Sequence, residues 1–253
     1  MIDRLRKYAV LLVVSGLCWV CSTAIAQSSR EELSDLAGRI EYAFYSHDKP
    51  SLQQALEALQ KADVDDAHRA EQLNSLDYGR WKLAQLYADD KMHGEAGELA
   101  EQCTGTVDIK AFSKKAKAEH EALLAACYEV LAEVRFVRTL WYRNAVDDHL
   151  QQAAKYDSGN LQVLFADAWI RAHHDPNEPA TYAALKKSVA AFADNAGRLQ
   201  DTGWGYAEAL YLLGKAELSR HDNLAARNAL ERALVIAPDY AAAQTSLKQL
   251  TVR

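Results

Sequence analysis

From residue 30 onward, apolar side chains recur three and four positions apart with few interruptions, and nowhere do they alternate convincingly with polar ones at period two. That spacing predicts helices throughout, separated by polar breaks. The first spans 30–46 and stops at "HDKP"; the second, 51–62, is capped near Ser51 and buries Leu52, Ala55, Leu56 and Leu59. A third starts near 67, carries Leu73, Leu76, Leu83, Leu86 and Tyr87, and breaks at "DDKMHG"; a short fourth covers 95–103. After the loop "TGTVDIKAF", helical spacing runs from 113 to 156 with one bend, and Gly159 in "YDSGN" suits a left-handed closing position. Helices at 161–172 and 180–193 flank "HHDPNEP", "NAGRLQDTG" reads as a linker, and helices at 205–219, 223–236 and 239–250 complete the chain. Breaks of a few residues make neighbouring helices antiparallel.

Residues 1–26 are set apart from this pattern. Arg4, Arg6 and Lys7 precede an apolar run from Tyr8 to Val20, and Ala24-Ile25-Ala26 forms a small-x-small end, the features of a secretory signal peptide cleaved after Ala26. The rival reading is an uncleaved anchor, but the run of about 13 residues is short against the roughly 20 that span a bilayer. Leu17 and Val20 stand where a lipoprotein signal needs small residues before Cys18 or Cys21. Cleavage leaves residues 27–253 as a single helical domain in the periplasm or outside the cell, with no stable membrane insertion.

Composition agrees with an all-helical globule: 49% of residues are apolar, and only 4 prolines and 11 glycines interrupt the chain. Losing residues 1–26 removes three basic groups and one acid, which moves the formal charge from −6 to −8. No basic stripe offsets that acidity, so a nucleic-acid partner is not expected.

The C-terminal helix pair carries an internal signature. The unit from Ala207 to Tyr240 places Leu213-Gly214 in its first helix and Ala226, Leu230, Ala233 and Pro238 in and after its second. That spacing resembles the tetratricopeptide repeat (TPR), with Glu217 standing where the family usually has tyrosine and Asn223 where an aromatic is common. Weaker units fit 77–110 (Leu83-Ala84, Tyr87, Ala96, Ala100, Cys103), 118–160 (Leu124-Ala125, Tyr128, Val146, Leu150, Ala153, with about nine extra residues) and 30–63 (Tyr42-Ala43, Ala55, Leu59, Ala62). The pair at 161–193 fits worst. The resemblance implies an all-α fold of TPR-like antiparallel helical hairpins stacked into a right-handed solenoid, irregular, with a long central helix pair and a capping helix at 239–250. Alanine at 226 and 233 then marks points where helices approach closely, while Ala229 reads only as a helix former.

The same register brings Cys103 and Cys127 within about one helical turn, so a disulfide and a pair of buried thiols both remain open. Of the histidines, "HHDP" (His173, His174, Asp175) reads as a solvated loop, His120-Glu121 lacks a second histidine at zinc-helix spacing, and "DDHL" (Asp147, Asp148, His149) reads as a polar helix face. No metal site, phosphate loop, nucleophile elbow or catalytic residue is found, and no cofactor is implied.

In TPR folds the first helices of each pair line the concave face. By that resemblance Tyr78, Trp81, Gln85 and Asp89, then Glu119, Ala126 and Glu129, then Glu208, Tyr211, Lys215 and Ser219 face a protein or peptide partner, although Trp81 and Tyr211 also suit packing between helices. Trp204 reads as an anchor for the last unit. The resemblance implies a non-catalytic binding scaffold. The alternative is a binder of a small or lipid-like ligand in an enclosed helical cavity, accessory to transport, and an enzyme is disfavoured. Oligomeric state is open.

Overall fold

The computed structural model describes residues 30–105, 107–110, 112–195 and 203–251; the signal-peptide expectation and most of the linker fall outside the described residues. Helices α1 (30–45) and α2 (Lys49–Lys61), α3 (Arg69–Asp89) and α4 (His93–Cys103), α5 (Lys114–Val134) and α6 (Thr139–Asp157), α7 (Leu161–His174) and α8 (Pro179–Asp194), and α9 (Tyr206–Ser219) and α10 (Asn223–Ile236) form five successive hairpins, and α11 (Ala241–Thr251) follows. No strand occurs among the described residues.

Three hairpin turns share one conformation. His47, Lys91 and His221 each sit in the left-handed region, at φ 60, 63 and 63°. The next residue's N–H reaches back to the carbonyl five positions earlier: Asp48 to Ala43 (2.8 Å), Met92 to Tyr87 (2.8 Å) and Asp222 to Glu217 (3.0 Å). This closure satisfies carbonyls left open at the helix end. Asp48 and Asp222 then cap the following helices, accepting from the N–H groups of Ser51 and Ala225. The cap of α2 is therefore Asp48 rather than Ser51, and Pro50 fits the first turn because a proline there forfeits no helical bond.

Side-chain size sets the packing between helices. A Cβ on Gly214 would come within 2.9 Å of Leu230 Cγ and 3.4 Å of the Ala226 carbonyl oxygen, so α9 and α10 touch almost backbone to backbone. Ala226 and Ala233 are fully buried, and Ala229, read as a mere helix former, is buried with them. Glu217 is served by α8, where Tyr182 donates to its Oε1 at 2.7 Å. The bend expected between 113 and 156 is a complete reversal, through Arg135 and a 3-10 turn at Phe136–Arg138, and α6 packs almost wholly against α5. Gly159 is not left-handed; Asn160 caps α7 instead, its side-chain oxygen accepting from Gln162 and Val163. Cys103 and Cys127 are bridged, with Cα atoms 6.2 Å apart, tying the second helix of one pair to the first helix of the next.

The stack curves until its ends meet. Tyr240, in the turn between α10 and α11, lies 4.8 Å from Tyr45 and 5.1 Å from Tyr211, ring centre to ring centre. First helix and last turn thus share one aromatic cluster.

Candidate functional site

Closing the stack brings the first helices of the hairpins around a common axis, and the middle of that axis is filled. Trp81 has no exposure and meets Trp169 edge to face at 5.0 Å, Trp204 at 5.6 Å and Phe165 at 6.3 Å. Trp204 stacks on Tyr78 at 5.1 Å, and its carbonyl accepts from Gln162, so it anchors the start of the last hairpin as expected. Gly205 makes this possible: its φ is 108°, and a Cβ there would strike the Phe165 ring at 2.7 Å.

Within this plug lies an ion pair. Lys82, fully buried, donates from Nζ to Glu208 Oε2 at 2.5 Å, joining α3 to α9 across 126 residues of sequence. The ammonium lies 3.5 Å from the Trp81 ring centre and 4.6 Å from that of Phe44. With its amide oxygen turned inward, Gln85 accepts from Trp81 Nε1 at 2.9 Å and from Lys82 Nζ at 3.2 Å. Burial pulls Lys82 down to about 8, and Glu208 resists that shift. Burial raises Glu208, with Lys82 opposing. Glu41, half-buried nearby, is pushed up to about 7 by burial and then by the charge of Glu208. A buried pair of this kind adds little net stability, because removing two charges from water costs about as much as their attraction returns.

The plug leaves a cavity of about 430 Å³ at the end of the axis where the odd-numbered helices have their C-termini. Aromatic walls come from Phe44 and Tyr45 of α1, Trp169 of α7, Tyr211 of α9 and Tyr240. Asp89 of α3 and Glu133 of α5 contribute carboxylates, Lys215 of α9 an ammonium, and Gln85, Glu208 and Ser219 complete the polar lining. Burial raises Asp89, with His173 and His47 opposing, and burial likewise raises Tyr211. Glu208 Oε1 is buried at this floor without a hydrogen-bond partner among the described residues.

Of the residues expected on the concave face, Gln85, Asp89, Glu208, Tyr211, Lys215 and Ser219 are brought together here. Trp81 is corrected: it is covered on every side and packs the axis, because the closed curvature leaves no open groove at its level. Tyr78 and Glu119 belong to the opposite end of the axis, where Tyr78 is held under Trp204 and Glu119 accepts from Asn160 at 3.4 Å. Glu129 is buried and accepts from His174 Nε2 at 2.8 Å; Ala126 is fully buried. His173 and His174 are the last residues of α7 rather than a loop, and His173 packs on Trp169 at 3.9 Å while lining the cavity. Phe44, Tyr45 and Tyr240 escaped sequence reasoning because no repeat pattern states that the first and last elements meet; Glu133 lies one turn beyond Glu129 on α5, past the expected stretch of the concave face.

No group of histidine, cysteine, aspartate or glutamate side chains suited to a metal ion occurs among the described residues. No family model and no curated protein matches the sequence. Among solved structures, a thermophilic TPR protein of Thermus thermophilus is similar over 89% of this chain and 100% of its own, at 16% identity and a TM-score of 0.53. YrrB, a TPR protein with an unusual peptide-binding site, is similar over 79% of this chain and 84% of its own, at 21% identity and a TM-score of 0.34. That peptide site belongs to YrrB. With the alanine register, the hairpin order and the first of these similarities together, the chain has the fold of a tetratricopeptide-repeat solenoid.

Proposed function

We propose that the protein is a non-catalytic binding scaffold, exported and periplasmic, that receives a segment of a protein or peptide partner in the cavity at the C-terminal ends of its first helices. One observation carries this reading: residues from α1, α3, α5, α7, α9 and α11 converge on one concavity with aromatic walls and a few polar groups. The carboxylates of Asp89 and Glu133 and the ammonium of Lys215 come from different helices, a lining of both signs that suits a polar chain carrying its own donors and acceptors. Since the plug blocks the axis, the bound segment is a chain end or a tight loop rather than a strand running through. Export is supported by the pattern of residues 1–26 and by the Cys103–Cys127 bridge, which belongs in an oxidising compartment.

The test is recovery of one saturable partner by the native protein, with that recovery weakened by Glu133→Lys and by Lys215→Glu, at exposed lining positions, while the melting temperature is retained. Equal recovery by all three proteins contradicts the reading. A second reading, a small or lipid-like ligand, is favoured by the closed floor and aromatic walls. Native mass spectrometry of the purified protein distinguishes it, through a bound small molecule that Tyr211→Ala loses.

A further inference from the structure

The reversal between α5 and α6 makes an unusual surface. Phe136, Val137, Leu140 and Trp141 are 90, 94, 76 and 58% exposed, four large apolar side chains within six residues. The display is held in place: Thr139 Oγ1 donates to the Phe136 carbonyl at 3.0 Å and to that of Ala132 at 3.2 Å, and the Trp141 ring lies edge-on to Tyr128 at 5.8 Å. The stretch "RFVRTLWYR", residues 135–143, has three arginines and no acid in a chain of formal charge −6. Arg135 pairs with Glu101 at 3.2 Å, whereas Arg138 and Arg143 are exposed and make no ion pair among the described residues.

We propose that this tip is a membrane-docking element that inserts its aromatic and aliphatic side chains into the surface of an anionic lipid bilayer. Four large apolar side chains exposed on one turn form the kind of contiguous patch that marks a protein or membrane contact. A convex turn with side chains pointing outward has no groove to receive a partner protein, but a lipid surface closes around it. Tryptophan and phenylalanine favour the headgroup boundary, and unpaired arginines are drawn to lipid phosphates while the acidic body is repelled. The contact is interfacial, since no helix among the described residues is long and apolar enough to cross a membrane. The tip follows directly on Val130 and Glu133, which line the cavity, so docking turns that end of the solenoid toward the bilayer.

The test uses the full chain and vesicles of phosphatidylcholine with or without phosphatidylglycerol, with lipids brominated near the headgroup. Quenching of Trp141 is taken as the difference between the native protein and Trp141→Phe, which isolates the tip from the apolar run at residues 8–20. Expected are Trp141 quenching on phosphatidylglycerol vesicles and a fall in tip partitioning of at least about tenfold in Arg138→Glu/Arg143→Glu. Phe136→Ser/Val137→Ser is expected to lose the same quenching with an unchanged melting temperature. Absence of Trp141 quenching on every vesicle overturns the proposal, as does quenching that the arginine reversals leave intact. A dimer in sedimentation that Phe136→Ser/Val137→Ser abolishes, with no lipid quenching, assigns the tip to self-association and also overturns it.

Discussion

Lys82 and Glu208 show at the scale of single residues how this fold uses charge. Each is tolerated in the core because the other is 2.5 Å away, so Lys82→Met or Glu208→Met alone strands a buried charge and is expected to cost about 3–5 kcal/mol in urea unfolding. The double replacement Lys82→Met/Glu208→Met recovers most of that loss; losses that simply add would show the two groups to be uncoupled. Glu41 supplies a pH signature. Its carboxyl rises from 4.5 to about 7 on folding, so its contribution to stability is fully present below about pH 4.5 and is lost as pH climbs through 7. Thermal melts of Glu41→Gln are therefore expected to match the native protein near pH 4 and to run higher near pH 8. A gap that is constant with pH contradicts the shift. None of this was legible in the sequence, where Lys82 follows Trp81 as an ordinary helix residue and Glu208 lies 126 positions away. Local spacing could place both on first helices but not opposite one another.

Helices and turns were far more legible, because their causes are local. Alanine at 226 and 233 and glycine at 214 announced a close helix pair, and the structure puts Gly214 against Leu230 and the Ala226 carbonyl. Ala226→Leu is expected to destabilise by about 1–3 kcal/mol through overpacking. The turn residues were missed, since His47, Lys91 and His221 occupy positions where glycine would have advertised a left-handed backbone. Lys91→Gly and His221→Gly are each expected to raise stability by about 0.5–1 kcal/mol, and a loss would deny strain at those turns. Reducing the Cys103–Cys127 bridge, which joins residues 24 apart in sequence, is expected to lower the stability by about 2–4 kcal/mol. Here sequence reasoning reached the right neighbourhood and stopped, because helical register puts the two residues within a turn without aiming their side chains.

On the scale of the molecule, curvature decides what the concave face can do. An open solenoid would present Trp81 to a partner; this one closes through Tyr45, Tyr211 and Tyr240, buries Trp81, and keeps its accessible concavity at one end. Repeat spacing states which residues touch within a hairpin and between adjacent hairpins, and not that Tyr45 of the first helix meets Tyr240 of the last turn. A photo-crosslinking side chain placed at Tyr211 or Lys215, with one at the exposed Leu224 of α10 as the outer-face control, shows whether a partner enters this concavity. One discrete crosslinked partner is expected from both cavity positions, and none from Leu224. Crosslinking from Leu224 equal to that from the cavity, or a folded protein whose cavity positions capture nothing, would contradict that expectation.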